Sequence, residues 1–347
     1  MRSEARTPRA PRTPRRLPWG SRARAVTQAS PMRDGDRGPV GIVEHAGVRW
    51  INVERPTAEA IDYLRATFPF HELDLEDVVD TLERPKLDEY DDYLFLVLQF
   101  PVHSKLTRVT TAAEVDIFVG RDYVITLHDG RIKPLVRLFD ELERSPEAAE
   151  TLLSQGADRL FHRILDQLID YCFPIMRRIL QKIDQIDAII FEPDVLRVVQ
   201  EIATVRRDII ACRRIIKPQV AVITGLERRV RNFFHHDADA DEDLDVYFGD
   251  LADHIGKVWD ILEDAKEVVD SLSATADSVQ SHRLNEVIKV LTIFSVIMLP
   301  LTLVSSVYGM NVDLPRDQSP FAFYELLAAM ALIAIGMVAF FRWRRWL

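Results

Sequence analysis

Two uncharged apolar runs close the chain, Val290 to Tyr308 and Leu326 to Phe341, and only the short segment from Gly309 to Pro320 separates them once the second is extended back to Phe321. A membrane span needs about 20 mostly apolar residues at 1.5 Å rise each. The first run has that length, and the second reaches it through Phe321 to Tyr324 if Glu325 sits at the membrane surface. Core helices of soluble domains average about 11 to 12 residues and keep a polar face, so the pair reads as two membrane spans. The short connection makes them a helical hairpin. Arg283 and Lys289 precede the first span and Arg342, Arg344 and Arg345 follow the second, whereas the loop sets Arg316 against Asp313 and Asp317. Cations concentrate on the cytoplasmic side of spans. Both termini are therefore expected inside the cell and the loop outside, in a multi-pass protein of the inner (plasma) membrane.

Everything before the first span is left to fold in the cytoplasm. With only 2 Cys in 347 residues, a disulfide-stapled scaffold and a multi-cysteine zinc module are excluded. The net charge of −10 is uneven: residues 1 to 37 hold ten Arg against three acidic residues, which leaves −17 on the remainder. An acidic body is not a nucleic-acid binder. Residues 1–38, rich in Pro and Arg and poor in large apolar residues, are expected to be a disordered tail.

From 39 to 155 the pattern mixes strands with short helices. Val48–Val53, Tyr93–Val102, Glu114–Val119 and Tyr123–Leu127 read as strands, and Ala58–Thr67, Asp74–Leu82 and Leu135–Leu142 as helices. Long helices follow over 156–243: one from Ala157 to Ile190, then one from Asp194 to Phe234 with a kink expected at Pro218. From Leu244 to Tyr308 the only proline is Pro300, so a single stalk helix is expected to run into the first span. Its apolar positions (Leu251, Ile255, Val258, Leu262, Val269, Leu272, Val279) recur at steps of three, four or seven, a spacing that suits packing against copies of itself. Two spans per chain are too few to enclose a hydrated pore, so conduction would require an oligomer.

On the first span Asn285, Ile288, Thr292, Ser295, Leu299, Thr302, Ser306 and Asn311 fall close to one face, and intramembrane polar groups must meet a partner helix or water. Paired catalytic carboxylates, a nucleotide loop and a nucleophile elbow are not found, so no enzyme is expected. His235-His236 reads as a solvated turn and Cys172 and Cys212 as buried apolar side chains.

Gly309-Met310-Asn311 follows Tyr308 at the outer end of the first span. Together with Arg84-Pro85-Lys86, the Tyr247-Phe248 to Asp253-His254 segment, the run from Asn285 to Thr292, Pro300-Leu301-Thr302 and the basic tail ending in Trp346-Leu347, it makes residues 39 to 347 resemble the CorA family of magnesium and cobalt transport proteins. The resemblance implies an α+β membrane protein: an N-terminal α/β cytoplasmic domain, long stalk helices and two C-terminal transmembrane helices, assembled as a homopentameric funnel. Its parts would be 1–38 tail, 39–155 α/β domain, 156–243 long helices, 244–308 stalk and transmembrane helix 1, 309–320 external loop, 321–341 transmembrane helix 2 and 342–347 basic tail.

It also implies Mg²⁺ influx across the bilayer, with Co²⁺ and Ni²⁺ as further candidate substrates, driven by the membrane potential and gated by cytoplasmic Mg²⁺. Gly309, Met310 and Asn311 would form the selectivity filter, because Mg²⁺ sheds water reluctantly and neutral oxygens can hold it still hydrated. Asn285, Leu291, Thr292, Leu299, Thr302 and Ser306 would line the pore, the two leucines as a dewetting constriction. Asp250, Asp253, Asp270, Asp277, Asp88 and Glu89 would supply regulatory metal ligands, although Ala274 stands where some relatives carry an inter-subunit Asp. Asp313, Asp317 and Glu325 would attract cations at the outer mouth. A zinc transporter of the related ZntB type and a non-conducting membrane-anchored sensor or scaffold are the alternatives.

Overall fold

The computed structural model describes residues 40–79, 83–104, 106–107, 109–234, 242–310, 321–344 and 346. The Arg-rich tail expected over 1–38, the His235-His236 turn, Asn311, Asp313 and Asp317 lie outside the described residues.

Six strands form one mixed sheet: β1 (Val40–His45), β2 (Val48–Glu54), β3 (Lys86–Glu89), β4 (Leu94–Ser104), β5 (Val109–Val119) and β6 (Tyr123–His128), in spatial order β1-β2-β6-β5-β4-β3. β2 and β6 are parallel, and every other neighbouring pair is antiparallel. Both faces are covered. α1 (Ala58–Thr67) and α2 (Glu72–Val79) lie on the face carrying Ile51, Val53, Phe95, Val97 and Phe118. The helices that follow β6 cover the face carrying Trp50, Leu94, Leu96, Leu98 and Val115. A strand buried on both sides needs apolar residues at every position, which is why β4 reads as the unbroken run Leu94 to Leu98.

Strand β1 escapes the hydropathy pattern because most of its side chains are exposed or half-exposed, but its turn carries a signal. His45 pairs with Val48 across a tight turn in which Ala46 (φ 51°) and Gly47 (φ 84°) are both left-handed. That geometry matches the twist of a hairpin and favours glycine at its second position. Strand β3 occupies what reads in sequence as an acidic loop: Asp88 and Glu89 pair with Phe95 and Leu94 at the sheet edge.

Buried polar groups in the sheet are chained together. Trp50 Nε1 donates to Thr126 Oγ1 (3.0 Å), and the Thr126 hydroxyl donates to Asn52 Oδ1 (2.7 Å). His128 Nδ1 accepts the Gly130 N–H, so its proton is on Nε2, which donates to the same Asn52 oxygen at 2.9 Å. Burial drives the His128 pKa down to about 4 and keeps the ring neutral. Asp116 differs: it is buried on β5 with no hydrogen-bond partner for Oδ1, and desolvation raises its pKa well above the usual carboxylate range.

Helices α3 (Lys133–Arg144) and α4 (Pro146–Leu153) lead into the helical part. The single helix expected over 157–190 is two, α5 (Ala157–Asp170) and α6 (Cys172–Ile189). Pro174 explains the break at Tyr171, since its ring clashes with the carbonyl four residues back, that of Asp170, and offers it no N–H. Helix α7 (Val195–Thr224) passes through Pro218, and the interruption comes instead at Gly225, before α8 (Leu226–Phe234).

Helix α9 runs from Glu242 to Tyr308, 67 residues and about 100 Å. Leu244, Phe248, Leu251, Ile255, Val258, Leu262, Ala265, Val269, Leu272 and Ala276 are all buried, alternating steps of four and three. Such a heptad seam predicts packing on copies of the helix; it packs instead on α5, α6, α7 and α8 of the same chain. Cross-links fix the register: Arg206 with Asp270, Arg213 with Glu263 and Arg231 with Asp245. The two residue numbers of each pair add to the same total, so α7–α8 and α9 are antiparallel over their whole contact. Helix α10 (Ala322–Trp343) packs on the last part of α9.

Candidate ion pathway and cation site

Both C-terminal helices are long and apolar enough to cross a membrane, and only 6% and 0% of their most apolar windows are buried within the chain. A core helix of a soluble domain would be mostly covered. From Leu284 to Tyr308 on α9 the covered or half-covered positions are Lys289, Ile293, Ile297, Pro300, Leu301 and Val304, which share one face. At 100° per residue this face is opposite Leu291, Thr292, Ser295, Leu299, Thr302 and Ser306, with Asn285 at its flank one turn before Lys289, and every one of these seven is exposed. The sequence-derived stripe is thus the face turned away from α10, available to other subunits and to water.

Its hydroxyls have a specific chemistry. Thr292 Oγ1 donates to Ile288 O (2.7 Å), Ser295 Oγ to Leu291 O (2.9 Å) and Thr302 Oγ1 to Met298 O (2.8 Å). With their protons spent on the backbone, these oxygens present lone pairs outward. A row of neutral acceptors suits the water shell of a cation. Next to them on the same face, Leu291 and Leu299 stand 63% and 70% exposed as apolar constriction candidates.

At the C-terminal end of α9 Gly309 N donates to Ser305 O (3.0 Å) and Met310 N to Val307 O (3.3 Å), closing the helix. A Cβ on Gly309 would meet the Ser305 carbonyl oxygen at 3.2 Å, so glycine is the residue this close approach favours. Glu325 lies exposed in the first turn of α10, where a carboxylate complements the helix dipole. At the C-terminal end of α10 the Arg344 guanidinium lies over the Phe340 and Trp343 rings, a basic and aromatic collar of the kind found at membrane interfaces.

The regulatory candidates separate in the structure. Asp270 is held by Arg206 (2.5 Å) and Lys266 (3.3 Å), and the hydrogen bond from Arg206 lowers its pKa. Asp277 stands two turns further along the helix, about 10 Å away and exposed. Asp88 pairs with Lys86 (2.8 Å) on the sheet edge, and Glu89 is exposed there. Asp253 is exposed on α9. Asp250 alone lies next to a convergent group, at the Nε2 side of His254, and the group itself is made of residues that sequence reading does not single out as ligands.

Helix geometry builds that group. Asp166 and Asp170 are one turn apart on α5, and Asp250 and His254 one turn apart on α9, so each pair shares a helix face. His254 Nε2 is 3.5 Å from Asp250 Oδ2, and Nδ1 is 3.9 Å from Asp170 Oδ1. Ligand atoms of Asp166, Asp170 and His254 all lie within 4.8 Å of one another, and Nδ1 is buried without a hydrogen bond. Burial and then the Asp166 charge raise the Asp170 pKa, the mark of carboxylates crowded without enough positive charge. Carboxylates with one imidazole suit a divalent cation, from Mg²⁺ to the first-row transition metals. The sequence signal is the repeated one-turn spacing, but nothing local says that α5 and α9, far apart along the chain, meet.

A six-stranded α/β portion, a 67-residue stalk helix and two spans with a polar face turned outward define a membrane transport protein of the two-span, stalked type. The CorA-like Mg²⁺ transporter protein family model matches residues 45–345, and the chain belongs to that family. YfjQ of Bacillus subtilis, described as a metal ion transporter, is 30% identical over 89% of this chain and 93% of its own length. The cobalt/magnesium transport protein CorA of Thermotoga maritima is 27% identical over 86% of this chain and 83% of its own. Among solved structures, the complete CorA magnesium transporter from Methanocaldococcus jannaschii superposes with a TM-score of 0.74 at 20% identity, covering 86% and 92% of the two chains, which establishes a shared fold.

Proposed function

We propose that this chain is one subunit of a homopentameric divalent-cation channel of the plasma membrane, with both termini in the cytoplasm, carrying Mg²⁺ inward, with Co²⁺ and Ni²⁺ as further candidate substrates. The observation that carries this reading is the exposed face of α9: back-bonded hydroxyls at Thr292, Ser295 and Thr302 alternate with Leu291 and Leu299 and face away from the chain's own second span. Several copies meeting on this face would enclose a path lined by neutral oxygen acceptors. Gly309, Met310 and Asn311 then close its outer end as the filter, with Asp313, Asp317 and Glu325 drawing cations to the mouth.

The membrane potential drives entry, at about 4.6 kcal/mol per 100 mV for a divalent ion. Cytoplasmic Mg²⁺ acts as the regulatory ligand at Asp166, Asp170 and His254, and its loss opens the channel. The relatives named cobalt/magnesium transport proteins support the choice of ions.

Flux of Mg²⁺, Co²⁺, Ni²⁺ and Zn²⁺ into proteoliposomes under an inside-negative potential tests the reading. Wild type should conduct Mg²⁺, and Asn311→Ala should abolish uptake while the oligomer still assembles. Zinc-selective flux would favour the ZntB type. No flux of any ion, with Asn311→Ala functionally silent, would leave the sensor or scaffold.

A further inference from the structure

The hairpin between α6 and α7 ends in an apex that neither the pore nor the cation cluster uses. Its two large apolar side chains, Phe191 and Leu196, are 73% and 69% exposed, next to Pro193. A guanidinium fixes the apex. Arg283 of α9 donates to the carbonyl oxygens of Phe191 (2.9 Å), Glu192 (2.6 Å) and Pro193 (2.7 Å), so the last carbonyls beyond α6 receive a cation where the helix dipole favours one.

The antiparallel register between α7 and α9 says which way the apex points. As α7 runs from Arg213 to Arg206, its partners on α9 advance from Glu263 to Asp270, and the same register brings Pro193 to Arg283. The hairpin therefore climbs toward the membrane and stops level with residues 283 to 285. The uncharged run of the first span begins at Val290, about 7 to 10 Å further along the helix. The polar layer on each side of a bilayer is about 5 to 8 Å thick, and a phenyl ring covers what remains. Leu284, Val287 and Ile288 continue an exposed apolar surface from this level into the span.

We propose that the α6–α7 apex is a membrane-contact element, with Phe191 and Leu196 seated in the inner headgroup layer of the same bilayer that the two spans cross. The occupant of this surface is lipid, and a neighbouring subunit is the competing one. Glu192 and Asp194 at the apex remain in water, so the contact is apolar and does not require anionic lipid. Clamped to α9 by Arg283, the apex ties the position of α6 and α7 to the membrane surface beside the inner end of the pore face. This inference rests on the membrane-spanning reading, and the test separates the two.

The full-length chain is reconstituted in phosphatidylcholine vesicles with an environment-sensitive fluorophore on a single introduced cysteine. Cys172 and Cys212 are buried, with thiol pKa values pushed up by desolvation (Cys212 to about 12), so they do not compete for label. Phe191→Cys and, independently, Leu196→Cys carry the probe. Leu332→Cys on α10 is the span control, and Leu106→Cys at the β4–β5 turn, 97% exposed, is the solvent control.

Expected is blue-shifted emission at 191 and 196 that is quenched by a headgroup-attached nitroxide lipid and far less by a nitroxide deep in the acyl chain, with 332 quenched and 106 unaffected. Blue-shifted but unquenched emission at 191 and 196, with 332 quenched, would mean a neighbouring subunit covers the apex and would overturn the proposal. Unshifted emission there would place the apex in water and overturn it too. No quenching at 332 would remove both this inference and the spanning reading beneath it.

Discussion

Gln219 on α7 takes the place of a strand neighbour for Gln99 on β4. Its Oε1 accepts the Gln99 N–H at 3.0 Å and its Nε2 donates to the Gln99 carbonyl. Strand β3 pairs only as far as Val97, so the β4 edge beyond it would otherwise be left without partners in the interior. Through this amide the sheet is joined to the helix that carries the α7–α9 contact. Gln219→Leu leaves a part-buried N–H and C=O unpaired, at about 1 to 3 kcal/mol each. Thermal unfolding should occur several degrees lower, and hydrogen exchange should rise first at the Gln99 amide.

The cation cluster predicts a change in control without a loss of conduction. His254→Ala together with Asp170→Ala removes one ligand from each of the two facing helices and should flatten the fall of flux with rising Mg²⁺ on the cytoplasmic face. Maximal flux at low cytoplasmic Mg²⁺ should stay within about twofold of wild type, since neither residue is on the face of α9 proposed to line the pore. Asp270→Ala serves as the contrast, because that carboxylate is engaged by Arg206 and Lys266 and its loss should leave the response in place. A flat wild-type response would sink the regulatory assignment.

A dewetting constriction makes a different forecast. Leu299→Ser puts a hydroxyl in place of a 70% exposed leucine on the face proposed to line the path, which should wet it in the closed state. Basal Mg²⁺ leak at high cytoplasmic Mg²⁺ should rise by an order of magnitude or so. Val290→Ser, on α9 but off that face, should not raise it.

Protons act on stability through His128. Its folded-state pKa of about 4 is below the unfolded value of about 6.5, so between those values the unfolded chain binds the extra proton. Stability therefore rises with pH across that window and is lost as pH falls from about 6.5 to 4, by up to about 3 kcal/mol. The melting temperature of the detergent-solubilised chain, followed from pH 7 to 4.5, should show this slope. His128→Gln should reduce it while lowering stability at pH 7, because the Asn52 and Gly130 partners lose their native geometry.

Much of the membrane half was legible in the residues. Span length, the short gap between the spans, the polar face of α9 and the position of Gly309-Met310 all follow from periodicity and composition, which are local properties of the chain. Helix ends were less so: Pro174 splits α5 from α6, whereas Pro218 leaves α7 unbroken, because surrounding packing decides whether a missing N–H ends a helix. Strand β3 was hidden by its charges, which an edge strand can turn to water.

Other features arose only when distant segments met. The heptad seam from Leu244 to Ala276 dictates that α9 packs along one stripe, but a stripe does not name its partner. The fold gave it to helices of the same chain and left only the upper stalk and span uncovered. Asp166 and Asp170 likewise carry no message about Asp250 and His254 until α5 lies on α9. Apolar length and helical repeat are written along the sequence, while a convergent cation site depends on side chains from separate elements arriving within a few ångströms, and that is a property of the packed chain alone.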